Sequence, residues 1–195
     1  MKKLKIINII LIIISIILLS LIYFKKNQKI KGIAYGNDVN YDYKSFNNCN
    51  KIFLSNNTCY ELLDMLNKDV SKVNSGKLEK ISSLLKDSNY VILQLGKEDF
   101  KRIIKLNEYT NTLIYDQDIL IRSKDLFLNF YNEIIDKIYT INEDINIFTL
   151  QITNPYYVND EFIKDFFLEV NNEISNLSIE KKCTYLLFNN NWNYY

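Results

Sequence analysis

The 195-residue chain contains no histidine. Its absence removes the commonest general base and metal ligand, so Ser-His-Asp, Cys-His and His-metal chemistries find no support in these residues. Proline occurs once, at Pro155, and glycine four times, at Gly32, Gly36, Gly76 and Gly96, so each marks a break in the chain with unusual weight. The three cysteines, Cys49, Cys59 and Cys183, show no CxxC spacing, which leaves a thiol redox motif or a zinc knuckle unsupported. An odd count leaves at least one thiol unpaired. Outside a membrane Cys49 and Cys59 can close a short loop, while Cys183, in an apolar run, reads as a buried free thiol. Charge of either sign is also scarce as a net quantity: 24 basic and 23 acidic side chains give +1. With no basic block beyond the first 31 residues, nucleic acid is not an expected partner.

Apolar residues are plentiful, at 48%, with 14% aromatic, enough to build a core. The longest apolar run is residues 6–24, IINIILIIISIILLSLIYF, which carries no charge. At about 1.5 Å per residue it spans roughly 28 Å, close to the hydrocarbon thickness of a bilayer. Lys2, Lys3 and Lys5 precede it and Lys25, Lys26, Lys29 and Lys31 follow it. The run exceeds a signal-peptide core and lacks a small-x-small cleavage site, so it reads as an uncleaved signal-anchor. The expected organisation is a basic segment 1–5, a transmembrane segment 6–24, a basic linker 25–31 and an extracytoplasmic domain 32–195. Subtracting the three lysines of residues 1–24 from the 24 basic side chains leaves 21 against 23 acidic, a net of −2 for the exported part.

Within that part, short apolar runs end at chain breakers. Lys31–Tyr35 runs into Gly36, Tyr90–Leu95 into Gly96, Ile145–Ile152 into Asn154-Pro155, and Cys183–Phe188 into asparagines. Such runs are expected of strands covered on both faces. Helical periodicities lie between them. Thr58 and Glu61 make a capping box ahead of Leu62, Leu63 and Leu66. Leu78, Ile81, Leu84 and Leu85 form a stripe; Ser123 is the expected cap of a helix carrying Phe127, Ile134 and Ile138; and Phe162, Phe166, Val170 and Ile174 recur every four residues from about Asn159. Asp116-Gln117-Asp118 reads as a solvated turn. The alternation predicts an α/β fold, a three-layer α/β/α sandwich around a mainly parallel sheet. Its functional crevice should lie beyond the carboxyl ends of the strands, at Gly36-Asn37-Asp38, Ser55-Asn56-Asn57-Thr58, Gly96-Lys97-Glu98-Asp99 and Asn154-Pro155-Tyr156-Tyr157.

These four segments, in this order, resemble the SGNH/GDSL hydrolase family, particularly its exported lysophospholipase-like and esterase-like members. Residues 33–39 (IAYGNDV) are similar to the first block, where a strand ends in Gly-Asp-Ser and the serine is the nucleophile. Residues 55–63 resemble the second block, whose glycine supplies an oxyanion N–H. Residues 91–100 (VILQLGKEDF) resemble the third, Gly-x-Asn-Asp, whose asparagine donates to the same oxyanion. Residues 138–157 are similar to the segment in which a helix feeds a strand ending in Asn-Pro. The resemblance covers roughly residues 30–188 and implies an SGNH- or flavodoxin-like sandwich.

The departures fall on the chemistry. Matched residue by residue, Asp38 stands where the serine belongs, Asn37 where the aspartate belongs, Asn56 at the glycine of the second block and Glu98 at the oxyanion asparagine. An ionised carboxylate has no proton to donate and repels a developing oxyanion. The terminal Asp-x-x-His block has no counterpart before Tyr195, so the domain reads as C-terminally truncated. The expected protein is a membrane-anchored SGNH-like domain without serine-hydrolase activity, a binding module for envelope glycan, lipid or protein. Candidate binding residues are Asn37, Asp38, Asn57, Glu98, Asp99, Asn154 and Tyr156. A divergent esterase or carbohydrate-active hydrolase working through Asp38, Glu98 or Asp99 is the enzyme alternative; a truncated product without selected function is the third. No cofactor or metal is expected, although those carboxylates have the oxygen chemistry of a hard-cation site. The blander reading has Asp38 capping a turn and Asp99 serving a helix N-terminus.

Overall fold

The computed structural model describes residues 14, 32–36, 49–51, 58–72, 78–156 and 158–187. The chain divides into two compact units, 1–30 and 31–195. Of the expected transmembrane segment 6–24 only Ile14 is described, in a helix, so that expectation lies outside the described residues. Among the described residues no helix is long and apolar enough to cross a membrane.

In the second unit five strands form one parallel sheet. They are β1 (Gly32–Gly36), β2 (Cys49–Lys51), β5 (Tyr90–Gln94), β8 (Asn146–Leu150) and β9 (Thr184–Leu186), in the order β2-β1-β5-β8-β9. The four apolar runs become β1, β5, β8 and β9. The short, polar β2 has no such run to announce it. Two small antiparallel ribbons stand apart from the sheet: β3 (Ser71–Lys72) with β4 (Leu78–Glu79), and β6 (Lys105–Asn107) with β7 (Thr112–Ile114).

Helix α1 (Cys59–Lys68) starts at the expected capping box: the Thr58 hydroxyl accepts from Glu61 N–H and the Glu61 carboxylate accepts from Thr58 N–H at 2.7 Å. Helix α2 (Ile81–Lys86) is shorter than its stripe, because Leu78 pairs with Lys72 in the β3–β4 ribbon. Helix α3 (Lys97–Lys101) follows β5, and the 25-residue α4 (Gln117–Ile141) follows the β6–β7 ribbon. Its N-cap is Asp116, whose carboxylate accepts from Ile119 N–H, and not Ser123, which lies inside the helix and donates to the Ile119 carbonyl. The run read as a solvated turn is therefore the helix start: an aspartate cap outcompetes a serine two turns later because it lengthens the apolar stripe back to buried Leu120. Helix α5 (Glu161–Glu180) is capped by Asp160.

Among the described residues of the second unit, all five helices pack against one face of the sheet. Ile33, Tyr35, Val91, Leu93 and Ile147 point into this large core, as strand alternation requires. The opposite face carries Ala34, Tyr90, Ile92 and Leu150 in a second cluster, with Phe148 and Leu186 against it. No described helix contributes to that cluster, so the described residues show helices on one face only and the expectation of a second helical layer is not met among them. Cys59 is a free, buried thiol, which sets aside the Cys49–Cys59 loop. Cys183 is also free and only half-buried, with its sulfur 3.7 Å from the Tyr139 hydroxyl.

Helix and strand lengths differ in a way that shapes the functional edge. A 25-residue helix is about 37 Å long, whereas five strand residues span about 17 Å. Tyr131, midway along α4, donates its hydroxyl hydrogen bond to the Leu93 carbonyl near the end of β5, so residues 117–130 project past the sheet. In α5 the Asn171 amide bonds both the N–H and the carbonyl of Ile152, just beyond β8, leaving residues 161–170 to project likewise. The two overhangs enclose an aromatic knot in which the Phe100 ring meets Phe127, Phe166 and Phe167 at 5.2, 5.0 and 5.9 Å. Edge-to-face contacts of this kind add to the area each ring buries.

On the second face, Tyr90 lies across β1. A Cβ built on Gly32 falls 1.9 Å from the Tyr90 ring, which is itself buried. Gly32→Ala is expected to lower stability by about 1–3 kcal/mol, because the added methyl must displace a buried ring. Urea unfolding of the two proteins measures it, and equal midpoints refute the close approach.

Candidate functional site

Along the sheet only the β1-to-β2 connection steps one way, while the connections into β5, β8 and β9 step the other. The reversal lies between β1 and β5, and crevices in open parallel sheets form at that switch point, beyond the carboxyl ends. Here Gly36 stands opposite Gln94 in the register. Of the residues singled out in the sequence, Asn37, Asp38, Asn56 and Asn57 lie outside the described residues. Glu98, Asp99, Asn154 and Tyr156 are described, on the loops leaving β5 and β8.

The loop after β5 is set by Gly96. Its φ of +107° is a conformation that side chains disfavour, and an added Cβ would fall 2.2 Å from the Ile152 Cδ1 and 3.0 Å from the Phe127 ring. From this turn three consecutive side chains of α3 part company. Phe100 enters the aromatic knot. Glu98 is largely buried, 3.8 Å from the Lys101 ammonium. Asp99 turns toward α1.

The Asp99 carboxylate accepts from Cys59 N–H through both oxygens, at 3.0 and 3.2 Å. The carboxylate thus serves an orphan N–H of α1, forty residues earlier, as well as its own N–H in the first turn of α3. Burial pushes Asp99 up to about 6, against the downward pull of the Cys59 and Asp99 N–H groups and the Arg102 charge; the Glu61 charge adds to the rise. Desolvation wins because the carboxyl group is held between two helices. The same burial, with the Asp99 charge beside it, holds the Cys59 thiol well above its usual range, so no thiolate nucleophile forms there. Glu61 behaves oppositely: burial raises it, but Thr58 N–H and Arg102, at 3.1 Å, together lower it.

Across the crevice Tyr156 is fixed by two bonds. Its hydroxyl donates to the Ile104 carbonyl at 2.6 Å, and its N–H donates to the Asn154 Oδ1 at 3.0 Å in a turn across Pro155. Burial first, then the Glu98 charge, pushes the phenol up to about 12, which places Glu98 and Tyr156 in one electrostatic neighbourhood. A similar link joins Tyr115, whose hydroxyl donates to both Asp160 oxygens at 3.0 Å while its ring stacks on Phe162. The roots of the β6–β7 ribbon are therefore both held by the segment that follows β8.

The structure sets the Tyr156 phenol within electrostatic reach of Glu98, engages Asp99 at the start of α1 and leaves Asn154 exposed in its turn. Among the described residues no group of three His, Cys, Asp or Glu side chains is placed to hold a metal ion. One residue of this edge was missed in the sequence. Gln94 ends β5 with 9% of its surface exposed, and its side-chain oxygen has no hydrogen-bond partner. The signal was an amide interrupting an otherwise apolar run, YVILQL.

No protein-family model and no curated protein matches the chain by sequence. Solved structures match it by shape. A phospholipase A1 from Streptomyces albidoflavus has a TM-score of 0.52 at 14% identity, over 80% of this chain and 78% of that one. A protein of Parabacteroides merdae described as a GDSL-like lipase has 0.51 at 9%, over 80% and 76%. A variant of an acetyl-xylooligosaccharide esterase from Geobacillus has 0.52 at 9%, over 80% and 75%. The fold is SGNH/GDSL hydrolase-like, an α/β fold with a parallel sheet.

The position of Asp99 sets a pH dependence. Its folded value, about 6, lies above the ordinary 3.8, so its contribution is complete below about pH 4 and is lost as the pH rises through 6. Asp99→Asn keeps an acceptor for Cys59 N–H and removes the buried charge. It is expected to abolish this component of the pH slope and to match or exceed the parent at pH 7, by of order 1–3 kcal/mol. Urea midpoints at pH 4, 5, 6 and 7 read it out; a variant weaker at pH 7 shows that the charge at the helix start outweighs desolvation.

Proposed function

We propose that this chain is a membrane-anchored, extracytoplasmic SGNH-like module that binds an envelope glycan and does not hydrolyse it. The observation that carries the reading is the acceptor-rich character of the crevice rim. Glu98 stands where the family places a hydrogen-bond-donating asparagine, and its charge is felt at the Tyr156 phenol. A rim of this kind receives hydroxyl hydrogens and opposes the build-up of an oxyanion. The residues matching the nucleophile and its neighbours, Asp38, Asn37 and Asn56, point the same way at the level of sequence. Glycan is favoured over lipid or protein because carboxylate, amide and phenol groups are the partners that sugar hydroxyls take, and one fold neighbour is an esterase of acetyl-xylooligosaccharides. The anchor rests on the uncharged run 6–24 and its lysine flanks.

The enzyme alternative requires two carboxylates free to act at the crevice. Asp99 argues against it, since both its oxygens are engaged by the start of α1.

Full-length protein in lauryldimethylamine oxide should take up no fluorophosphonate label and turn over neither 4-nitrophenyl acetate nor acetylated xylo-oligosaccharide, while binding soluble oligosaccharides saturably in calorimetry. Turnover that disappears in Asp38→Ala would establish the carboxylate hydrolase instead. For the anchor, alkaline carbonate washing of membranes should leave the chain in the pellet, with residues 32–195 open to protease added outside intact cells. Release into the wash rejects the span.

A further inference from the structure

We propose that Gln94 is a ligand-contacting residue whose side-chain amide is held ready for a neutral hydroxyl of a polyhydroxylated ligand at the switch point between β1 and β5. The inference deepens the glycan-binding reading and rests on it. Four of the five residues of β5, Tyr90 to Leu93, are apolar, and the fifth is this glutamine. It is 91% removed from solvent by its 9% exposure, yet its carbonyl oxygen accepts no hydrogen bond. Buried amide oxygens are nearly always satisfied, because leaving one bare forfeits its hydration without replacement. Packing alone would be served as well or better by an apolar residue of the same length.

Position gives the bare oxygen its meaning. Gln94 is the last residue of its strand, and directly opposite it in the register stands Gly36. The turn at Gly96 follows two residues later and delivers Glu98 to the same edge. The other orphan among the described residues provides a contrast. The Tyr35 hydroxyl also lacks a partner and is covered like the Gln94 oxygen, but its residue is wholly buried in the core on the helix-covered face. Gln94 alternates onto the other face and sits at the rim. A carboxamide presents a carbonyl and an NH2 group in one plane, a fit to two adjacent sugar hydroxyls, one donating and one accepting. A phosphate or carboxylate ligand offers the carbonyl no hydrogen and meets the Glu98 carboxylate at the same edge.

The test uses Gln94→Met in the full-length chain, since methionine keeps the length and flexibility of the side chain and removes both polar groups. Calorimetric titrations with xylotetraose and with chitotetraose are run beside thermal unfolding. The expected result is a melting temperature equal to or a few degrees above that of the parent, together with at least a tenfold weaker affinity for the tetrasaccharide that the parent binds. A variant that binds as tightly as the parent overturns the assignment of Gln94 and leaves the glycan-binding reading standing. A variant that melts well below the parent, or fails to fold, shows that the amide is structural and overturns the assignment too. If the parent binds neither tetrasaccharide, both the assignment and the glycan reading fall.

Discussion

The carboxyl edge of the sheet depends on a single close approach, that of Gly96 to Ile152 and Phe127. The turn out of β5 has a positive φ and no room for a side chain, so the chain leaves the sheet in one direction only. That direction distributes the next residues: Glu98 to the edge, Asp99 to the start of α1, Phe100 into the ring cluster between the overhanging halves of α4 and α5. A small shift in the turn would move all three, because they sit on one rigid helical turn. The energy that holds the turn comes from the rings, whose burial outweighs the cost of the uncommon backbone angle.

Electrostatics follow from that placement. Asp99 is buried enough to hold its proton to about pH 6, while its oxygens complete the first turn of a neighbouring helix. It is a structural acid placed beside the candidate site. Glu98, one residue away, faces Lys101 and the neighbourhood of Tyr156 instead. Two adjacent carboxylates therefore have separate duties, and the distinction comes from which element each one meets. The proposed binding role draws on this asymmetry: what remains at the edge consists of acceptors and amides, suited to hydroxyl groups more than to the charge reversal of an acyl transfer.

Much of the scaffold was legible in the residues. The apolar runs before Gly36, Gly96 and Pro155 became β1, β5 and β8, and the Thr58–Glu61 box opened α1, because both signals are local. Where the reading slipped, two local signals competed or none existed. Asp116 and Ser123 both resemble caps, and the choice was made by Leu120, whose burial against the core favours the earlier start. The β2 strand, Cys-Asn-Lys, has no apolar run, and its place is defined by pairing with Gly32, Ile33 and Ala34. Leu78 fits the helical stripe of Ile81 and Leu85 but pairs with Lys72 instead. At the candidate site Glu98, Asp99, Asn154 and Tyr156 were visible as loop residues after strands, whereas Gln94 was hidden inside a run read as plain strand.

The sequence by itself determined β1, β5, β8 and β9 and the start of α1, since periodicity, caps and breakers act over a few residues. It also determined that no histidine serves this chain and that a glycine follows the apolar run 90–95. Only the tertiary structure decided which groups meet: Asp99 with Cys59 across forty residues, Tyr156 with Ile104 across fifty-two, and the side-chain oxygen of Gln94 with no hydrogen-bond partner. Those meetings depend on strand order and register, which bring distant residues to one edge, and a hydrogen bond is won or lost within a few tenths of an ångström that local propensity does not encode.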